Sequence, residues 1–396
     1  MKILIVRTIA IEEDCSQKTY NNQGIGLATE LSKRGHQCGL VYYAKPGNRK
    51  IETVVSDGQE LVIYHLEGKN IIWNAIYNKE IYDIAAEYDV IQVSECDQIA
   101  SWLMFARFPD KTLIYHGPYK SRFTVKYNLR SQIFDRIFSW QKNFKSVRVI
   151  TKSRLSAEYL NKKGFKNTTT LGVGLNPGAL EKHGQTNEKL IQKLESEKGV
   201  QKYILYVGAI SKRKNLTFVI DILEKLVANH KNYKLLIVGG KAYKEDDYFE
   251  KCFREIQTKG LNDNVAYLGT VNQETIAEIY KLSDVFVLPT QYDIFGMVYL
   301  EAMYFGVPIV TSLCGGSSLL IENGITGYIC DLEDAETWEK QIEKILESQE
   351  TIKMMRENGK KLICEKYTWF ALAPMFENEY KKLMRGKNEQ KEYYID

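Results

Sequence analysis

No run in this 396-residue chain approaches the ~18 uncharged apolar residues that a membrane-crossing helix needs. The opening, MKILIVRTIA, is too short an apolar stretch for a signal-peptide core before EED breaks it. The expected location is therefore cytoplasmic, with a peripheral position on the inner face of the cell membrane left open by the charge pattern described below. Cysteines are few and scattered (Cys15, Cys38, Cys96, Cys252, Cys314, Cys330, Cys364), with no C-x-x-C pair. That spacing argues against a disulfide framework and against a structural zinc site, and most are expected to be small buried apolar residues. A D-x-D triplet is missing too; KEDDY at 244–248 comes nearest. A metal-chelating diphosphate site is accordingly not supported, and no metal or other cofactor is expected. Short-period repeats and low-complexity tracts are likewise absent.

What is present is the composition of a soluble globular protein, 44% hydrophobic and 26% charged, in a chain long enough for two domains. Acidic residues are scarce in one place. Residues 111–166 hold fourteen Lys or Arg against only Asp135 and Glu158, a local charge of 14 − 2 = +12 in a chain whose net charge is +4. Such density suits an anionic partner, a membrane surface, a phosphorylated lipid or a nucleic acid, or else a solvated lysine-rich surface.

Short continuous apolar runs alternate with helical segments. KILIV (2–6), CGLVYYA (38–44), DVIQVSE (89–95), TLIYHG (112–117) and VRVIT (147–151) read as strands buried on both faces, with an amphipathic helix through Leu27 and Leu31 that stops at Gly35. A charged connector with one helix follows over 179–202. The alternation then restarts with YILYVG (203–208), KLLIVGG (234–240), NVAYLG (264–269), VFVLPT (285–290), PIVTS (308–312) and GYICD (327–331). Two successive doubly wound parallel halves are predicted. Three helical stretches close the chain, the last interrupted at Pro374.

Ligands in such sheets bind beyond the carboxyl ends of the strands, and the candidate residues sit there. In YDIFGMVYLEAMYFGVPIV (292–310), Asp293 and Glu301 flank a turn through Phe295 and Gly296 into a helix at Met297. The N–H groups of Phe295, Gly296 and Met297 would form an anion site at that helix N-terminus, with Glu301 about 7 to 8 Å further along the axis. The two carboxylates could accept from the hydroxyls of one elongated sugar-like ligand; the alternative is an N-cap aspartate with a surface glutamate. In YVGAISKRKNLTFVI, a strand ends at Gly208, and Lys212, Arg213 and Lys214 precede a helix, a set of cations suited to a diphosphate or else a solubilising loop. Gly24 and Gly26 precede the first helix but do not complete a dinucleotide fingerprint, though the turn suits close approach of a ligand. His116, one of five histidines, ends a strand before a Gly-Pro turn and is either a ligand-orienting group or a structural one.

Together these stretches resemble the family-4 retaining glycosyltransferases of GT-B fold, the bacterial glycosyl transferases group 1. DIFGMVYLEAMYFGVPIV is similar to that family's acidic–x7–acidic signature, with Asp293 where glutamate is usual. VGAISKRKN resembles its diphosphate loop, with Ala209 in place of an arginine, and GGSSLLIENGITGYI resembles its Gly-Gly loop without the usual acidic residue.

The resemblance implies two Rossmann-like domains facing a cleft: an acceptor-binding domain over 1–178, a nucleotide-sugar-binding domain over 179–366, and a helix over 367–396 returning to the first. It implies a nucleotide-sugar donor, UDP-sugars favoured, with Arg213, Lys214 and Gly208 at the diphosphate, Glu301 at the ribose and Asp293 at the transferred sugar. His116 and the Gly24 loop would come from the first domain. It implies a hexosyltransferase-type enzyme acting on a glycan or lipid-diphosphate-linked acceptor in surface polysaccharide assembly. The leaving diphosphate would be stabilised by cations and a helix dipole. Residues 111–166 would then meet an anionic membrane rather than nucleic acid. The rival readings are a GDP-mannose-type donor, a sugar-nucleotide epimerase of similar fold, or a non-catalytic nucleic-acid- or membrane-binding protein.

Overall fold

The computed structural model describes residues 1–11, 22–70, 76–138, 142–180, 186–229 and 232–392. The chain divides into two compact units, one of residues 1–176 with 367–396, the other of residues 177–366.

The first unit runs β1 (Lys2–Ile11), α1 (Gln23–Lys33), β2 (Gln37–Ala44), β3 (Lys50–Ser56), β4 (Gln59–Glu67), β5 (Lys69–Asn70), β6 (Ile76–Tyr77), α2 (Ile81–Ala86), β7 (Val90–Ser94), α3 (Ile99–Arg107), β8 (Thr112–His116), α4 (Val125–Phe138), β9 (Arg148–Thr151), α5 (Arg154–Lys162) and β10 (Thr168–Thr170). Eight of the strands form one sheet in the order β10-β9-β8-β7-β1-β2-β4-β3. The runs read as fully apolar are its central strands, parallel and covered on both faces. The order reverses between β1 and β7, so the loops leaving those two strands flank the switch point.

Residues 50–67, passed over in the sequence, form an antiparallel hairpin at the edge. Its outer strand β3 has no fully buried residue, which removes the apolar signature. The turn is Asp57-Gly58 with φ of 52° and 77°, the left-handed pair that a two-residue hairpin requires.

The second unit runs α6 (Pro177–Leu180), α7 (Glu188–Lys198), β11 (Lys202–Val207), α8 (Leu216–Asn229), β12 (Tyr233–Val238), α9 (Asp246–Thr258), β13 (Val265–Gly269), α10 (Gln273–Leu282), β14 (Val285–Leu288), α11 (Met297–Tyr304), β15 (Ile309–Thr311), α12 (Ser317–Leu320), β16 (Gly327–Ile329), α13 (Ala335–Glu347) and α14 (Gln349–Lys366). Its six-stranded sheet is parallel throughout, β13-β12-β11-β14-β15-β16, and reverses between β11 and β14.

The last helix, α15 (Trp369–Glu392), packs on the first unit. Tyr380 donates to Gln92 Oε1 of β7 at 2.8 Å, and Glu379 and Glu377 accept from Arg148 (2.9 Å) and Arg34 (2.7 Å). The interruption expected at Pro374 does not occur; the helix runs through it. The proline lies in the second turn, so a single i−4 carbonyl, that of Phe370, loses its partner, while buried Leu372, Ala373, Phe376 and Tyr380 keep the helix docked.

Gly24 and Gly26 also differ from expectation. Both lie inside α1, whose N-cap Asn22 accepts from the N–H of Gly24 (3.1 Å) and Ile25 (3.3 Å). The close approach they permit is to the protein itself. A Cβ on Gly26 would sit 2.3 Å from the Trp369 ring, and one on Gly24 would sit 3.1 Å from Leu40 and from the Tyr42 hydroxyl. The preceding loop, 12–21, lies outside the described residues.

Candidate functional site

The loops leaving β11 and β14 meet at the switch point of the second unit. Gly208 follows β11 with φ 152°, and the stem of Lys214 lies against it, Cε 3.7 Å from where a Cβ would be. Ser211 starts a single 3-10 turn over Lys212–Lys214, and Asn215 in the left-handed region turns the chain into α8. That geometry points Lys214 inward. Among the described residues it is the one Lys or Arg that is buried, at 7% exposure. Its Nζ donates to Asp293 Oδ2 at 2.5 Å, and Nη1 of Arg213 stands 3.7 Å from the same oxygen. The loops are stitched elsewhere as well: Arg213 donates to the Tyr292 carbonyl, and the Gln291 N–H donates to the Arg213 carbonyl at 2.8 Å.

Asp293 is thus no N-cap. That position belongs to Gly296, in the left-handed region with φ 80° and no side chain to bond the first turn of α11. The helix N-terminus, positive by its dipole and without a side-chain cap, stands beside two cations. Phe295 is buried, and Met297 begins the helix. Glu301 is not a surface residue either: at 5% exposure it accepts a hydrogen bond from the Tyr280 hydroxyl at 3.0 Å. Lys212, the third cation read as a diphosphate ligand, is exposed, and its backbone N–H donates to Glu245 at 2.6 Å.

The Gly-Gly loop has a packing reason. Cβ atoms at Gly315 and Gly316 would lie 1.8 Å from the carbonyl oxygens of Ile294 and Phe295, and the Gly315 N–H donates to the Asp293 carbonyl at 3.0 Å. Only glycine lets this loop lie directly under the turn that carries Asp293. Gly315→Ala is expected to destabilise the protein by about 1 to 3 kcal/mol through forced backbone displacement, read by thermal denaturation; a loss under about 0.5 kcal/mol, the range of an ordinary surface substitution, would show that the loop yields freely.

In the first unit, the corresponding edge carries His116 at the end of β8, fully buried. Its Nδ1 is 3.0 Å from Glu95 Oε2. The Cys96 N–H also points at Nδ1, at 3.2 Å, but the charged carboxylate decides the tautomer: Nδ1–H donates to Glu95, leaving a lone pair on Nε2, which has no hydrogen-bond partner among the described residues. The ring stacks on Tyr159 at 6.5 Å. Glu95 follows β7 in the left-handed region, φ 65°, and its oxygens also accept from Lys152 Nζ (3.1 Å) and the Gly117 N–H (2.8 Å). Burial opposes its charge, yet Lys152, His116 and Gly117 together hold its carboxyl down at about 2. Sequence reading missed Glu95, Lys152 and Tyr280. The signal for Glu95 was visible, a carboxylate closing the apolar run VIQVS at a strand's carboxyl end.

Among the described residues no group of three or more His, Cys, Asp and Glu is placed to hold a metal ion, and no helix is long and apolar enough to cross a membrane. Five of the six described cysteines are buried and all six are free; Cys364 is exposed.

Comparison with known proteins bears on this arrangement. The family model described as glycosyl transferases group 1 matches residues 187–362. An uncharacterized glycosyltransferase of Methanocaldococcus jannaschii is 31% identical over 53% of this chain and 53% of its own length. A capsular polysaccharide biosynthesis glycosyltransferase, CapM, of Staphylococcus aureus is 30% identical over 55% and 57%. The match thus spans about half the length of these curated relatives. Among solved structures, sucrose-phosphate synthase from Thermosynechococcus elongatus superposes with a TM-score of 0.71 at 18% identity, covering 98% of this chain and 100% of that one. The Anabaena protein HepE in complex with UDP gives 0.68 at 16%, covering 96% and 100%. With two Rossmann-like sheets in succession, the first parallel but for its edge hairpin and the second parallel throughout, the fold is GT-B.

Proposed function

Because residues 187–362 match the family model described as glycosyl transferases group 1, we propose that the chain transfers a hexose, with retention of anomeric configuration, from a nucleoside-diphosphate sugar to a glycan or lipid-diphosphate-linked acceptor. A UDP-sugar is the favoured donor and bacterial surface polysaccharide the product, in keeping with the UDP-bound neighbour and the capsular relative. The single observation that carries the reading is buried Lys214, bonded to Asp293 at the uncapped N-terminus of α11.

An ammonium has three donors, so Lys214 can hold Asp293 and a phosphate oxygen at once. Arg213 and the N–H groups of Phe295, Gly296 and Met297 take the remaining charge, and Gly208 keeps the strand end clear for the diphosphate. Glu301, oriented by Tyr280, accepts from the ribose hydroxyls, and Asp293 from the hydroxyls of the transferred sugar. The acceptor oxygen attacks the anomeric carbon on the face that the diphosphate leaves. The C1–O bond to phosphate breaks as the new one forms, and the acceptor's proton passes to the departing diphosphate. These cations and the helix terminus stabilise the leaving charge in the role a metal ion would otherwise fill. In the first unit, Nε2 of His116, fixed as an acceptor by Glu95, orients a sugar hydroxyl. The expected location is cytoplasmic.

A thermal-shift screen of UDP, GDP, ADP and their sugar conjugates tests this. A nucleotide at 100 times its dissociation constant should stabilise the wild type by about 2.7 kcal/mol, and Glu301→Ala should abolish most of that shift. Stabilisation by RNA alone would instead favour a nucleic-acid-binding protein.

A further inference from the structure

Four strands lie at the ends of the two large sheets, β10 and β3 in the first, β13 and β16 in the second. β10 and β16 are three residues each, and β13 has a register shift against β12. β3 is different. Its seven residues, KIETVVS, pair with β4 without a bulge and include no proline. Its two charged residues, Lys50 and Glu52, share the face of buried His65, where Glu52 is bonded by both. Short strands, bulges, prolines and charges on the open face keep an exposed sheet edge from pairing, and β3 has none of these.

The turn fixes which backbone groups of β3 are free. A two-residue turn such as Asp57-Gly58 closes on a hydrogen-bonded pair, here Ser56 and Gln59. Hydrogen-bonded and open pairs alternate along an antiparallel ladder, so Ser56, Val54, Glu52 and Lys50 turn their N–H and C=O toward β4. Ile51, Thr53 and Val55 turn theirs outward, where no described strand meets them. The side chains of these three share one face. Thr53 is exposed, and Ile51 and Val55 are 54% and 59% exposed.

We propose that this edge binds a second copy of the chain, β3 against β3 in antiparallel register with Thr53 on the two-fold axis. The outward groups stand at 51, 53 and 55, symmetric about Thr53. That register sets Thr53 opposite its own copy and Ile51 opposite Val55, and it places all three positions in hydrogen-bonded pairs. Apolar side chains meet apolar ones across the join. The ends of the strand complement one another as well. Arg49 comes opposite the copy's Asp57, cation against carboxylate, while each keeps its partner in its own chain, Glu80 and Lys33. Symmetry and charge together select this occupant over a strand of another protein. The proposal does not rest on the sugar-transfer reading, since it concerns an edge of the first unit's sheet and not the reaction.

Sedimentation velocity of the full chain over a wide range of concentration tests it. The mass is expected to rise from one chain to two. Thr53→Lys and Thr53→Glu each set like charges face to face on the axis, and each should weaken the dimer by about tenfold or more. Mixing the two variants should restore a dimer, because unlike charges then meet. Thr53→Pro should also dissociate it while sparing the hairpin, since the N–H it removes points away from β4. Thr53 is exposed, so the charged variants should melt where the wild type does, and they provide the test if the proline disturbs folding. A single chain at every concentration would overturn the proposal. So would a dimer that both charged variants leave intact, which would place the interface elsewhere. Charged variants that stay monomeric when mixed would take Thr53 off the axis and overturn it too.

Discussion

Lys214→Ala is expected to lower the turnover of sugar transfer by about two to three orders of magnitude, the range seen when one preorganised group facing a developing negative charge is removed. Three features single this lysine out. It is the one buried Lys or Arg among the described residues, it lies at the end of β11 against Gly208, and its Nζ is bonded to Asp293. A lysine is seldom buried without a partner that requires it there. An ammonium in a site with little water interacts more strongly with a departing diphosphate than a solvated one does. The loss should appear mainly in kcat, because charge on the diphosphate grows as the glycosidic bond breaks. Lys214→Arg should recover part of the rate, since the charge returns in a planar, longer group that cannot repeat the Asp293 contact. Lys212→Ala is the discriminating control. Its side chain is exposed and its fixed contact is made by the backbone, so it should change the rate by less than about threefold, roughly half a kcal/mol of transition-state binding. Initial rates of the three variants with one nucleotide sugar decide the matter. Equal losses at Lys212 and Lys214 would reduce the site to a diffuse positive field, and no loss at Lys214 would remove it from the reaction.

Much of this architecture can be read in the chain, and for a uniform reason. Strands such as Val90–Ser94 and Val285–Leu288 are buried on both faces, so burial itself writes a continuous apolar run. The exposed edge strand Lys50–Ser56 has no such constraint and is marked only by its Asp57-Gly58 turn. The candidate site follows the same logic. Spacing along the chain brought out Asp293, Glu301 and the Lys-Arg-Lys turn because loops at strand ends are short. It could not tell that Asp293 would meet Lys214, seventy-nine positions earlier, because that depends on β11 and β14 being neighbours in the sheet. Nor could it separate exposed Lys212 from buried Lys214, two residues apart, because the 3-10 turn that points them differently has no periodic signature. Glycines misled for a related reason. A glycine reports that something comes close, and at Gly26 that something is Trp369, carried in by a helix that begins 343 residues later in the chain.

Glu95→Ala should destabilise the first unit by about 3 to 5 kcal/mol, the cost of removing one partner from a buried ion pair. For a unit of this size that is a fall of about 10 °C or more in its melting temperature. The carboxylate is fully enclosed and accepts from Lys152, His116 and the Gly117 N–H; without it, the Lys152 ammonium faces no countercharge and the Nδ1 proton of His116 no acceptor. The sign of the pH effect follows from the depressed pKa. Glu95 is held down at about 2, whereas an unfolded glutamate titrates near 4.3, so its contribution is fully present above about pH 4.3 and is lost as the pH falls toward 2. Calorimetry of wild type and variant between those limits should show the difference between them shrinking with acid. Glu95→Gln separates charge from shape: it can still accept from Gly117 but cannot neutralise Lys152, and should fall between the two. If Glu95→Gln matches the wild type at neutral pH, the ion pair is not what holds the group there. The backbone gives a reason to expect otherwise. Glu95 is held at φ 65°, a conformation costing a non-glycine residue about 1 kcal/mol, and three bonds to one carboxylate are what keep it in place. That strained residue stands at the carboxyl edge of β7, beside the switch point, and fixes the proton of His116 on Nδ1. The variant should therefore lose sugar transfer even at temperatures where the first unit remains folded, because Nε2 of His116 would no longer be held as an acceptor.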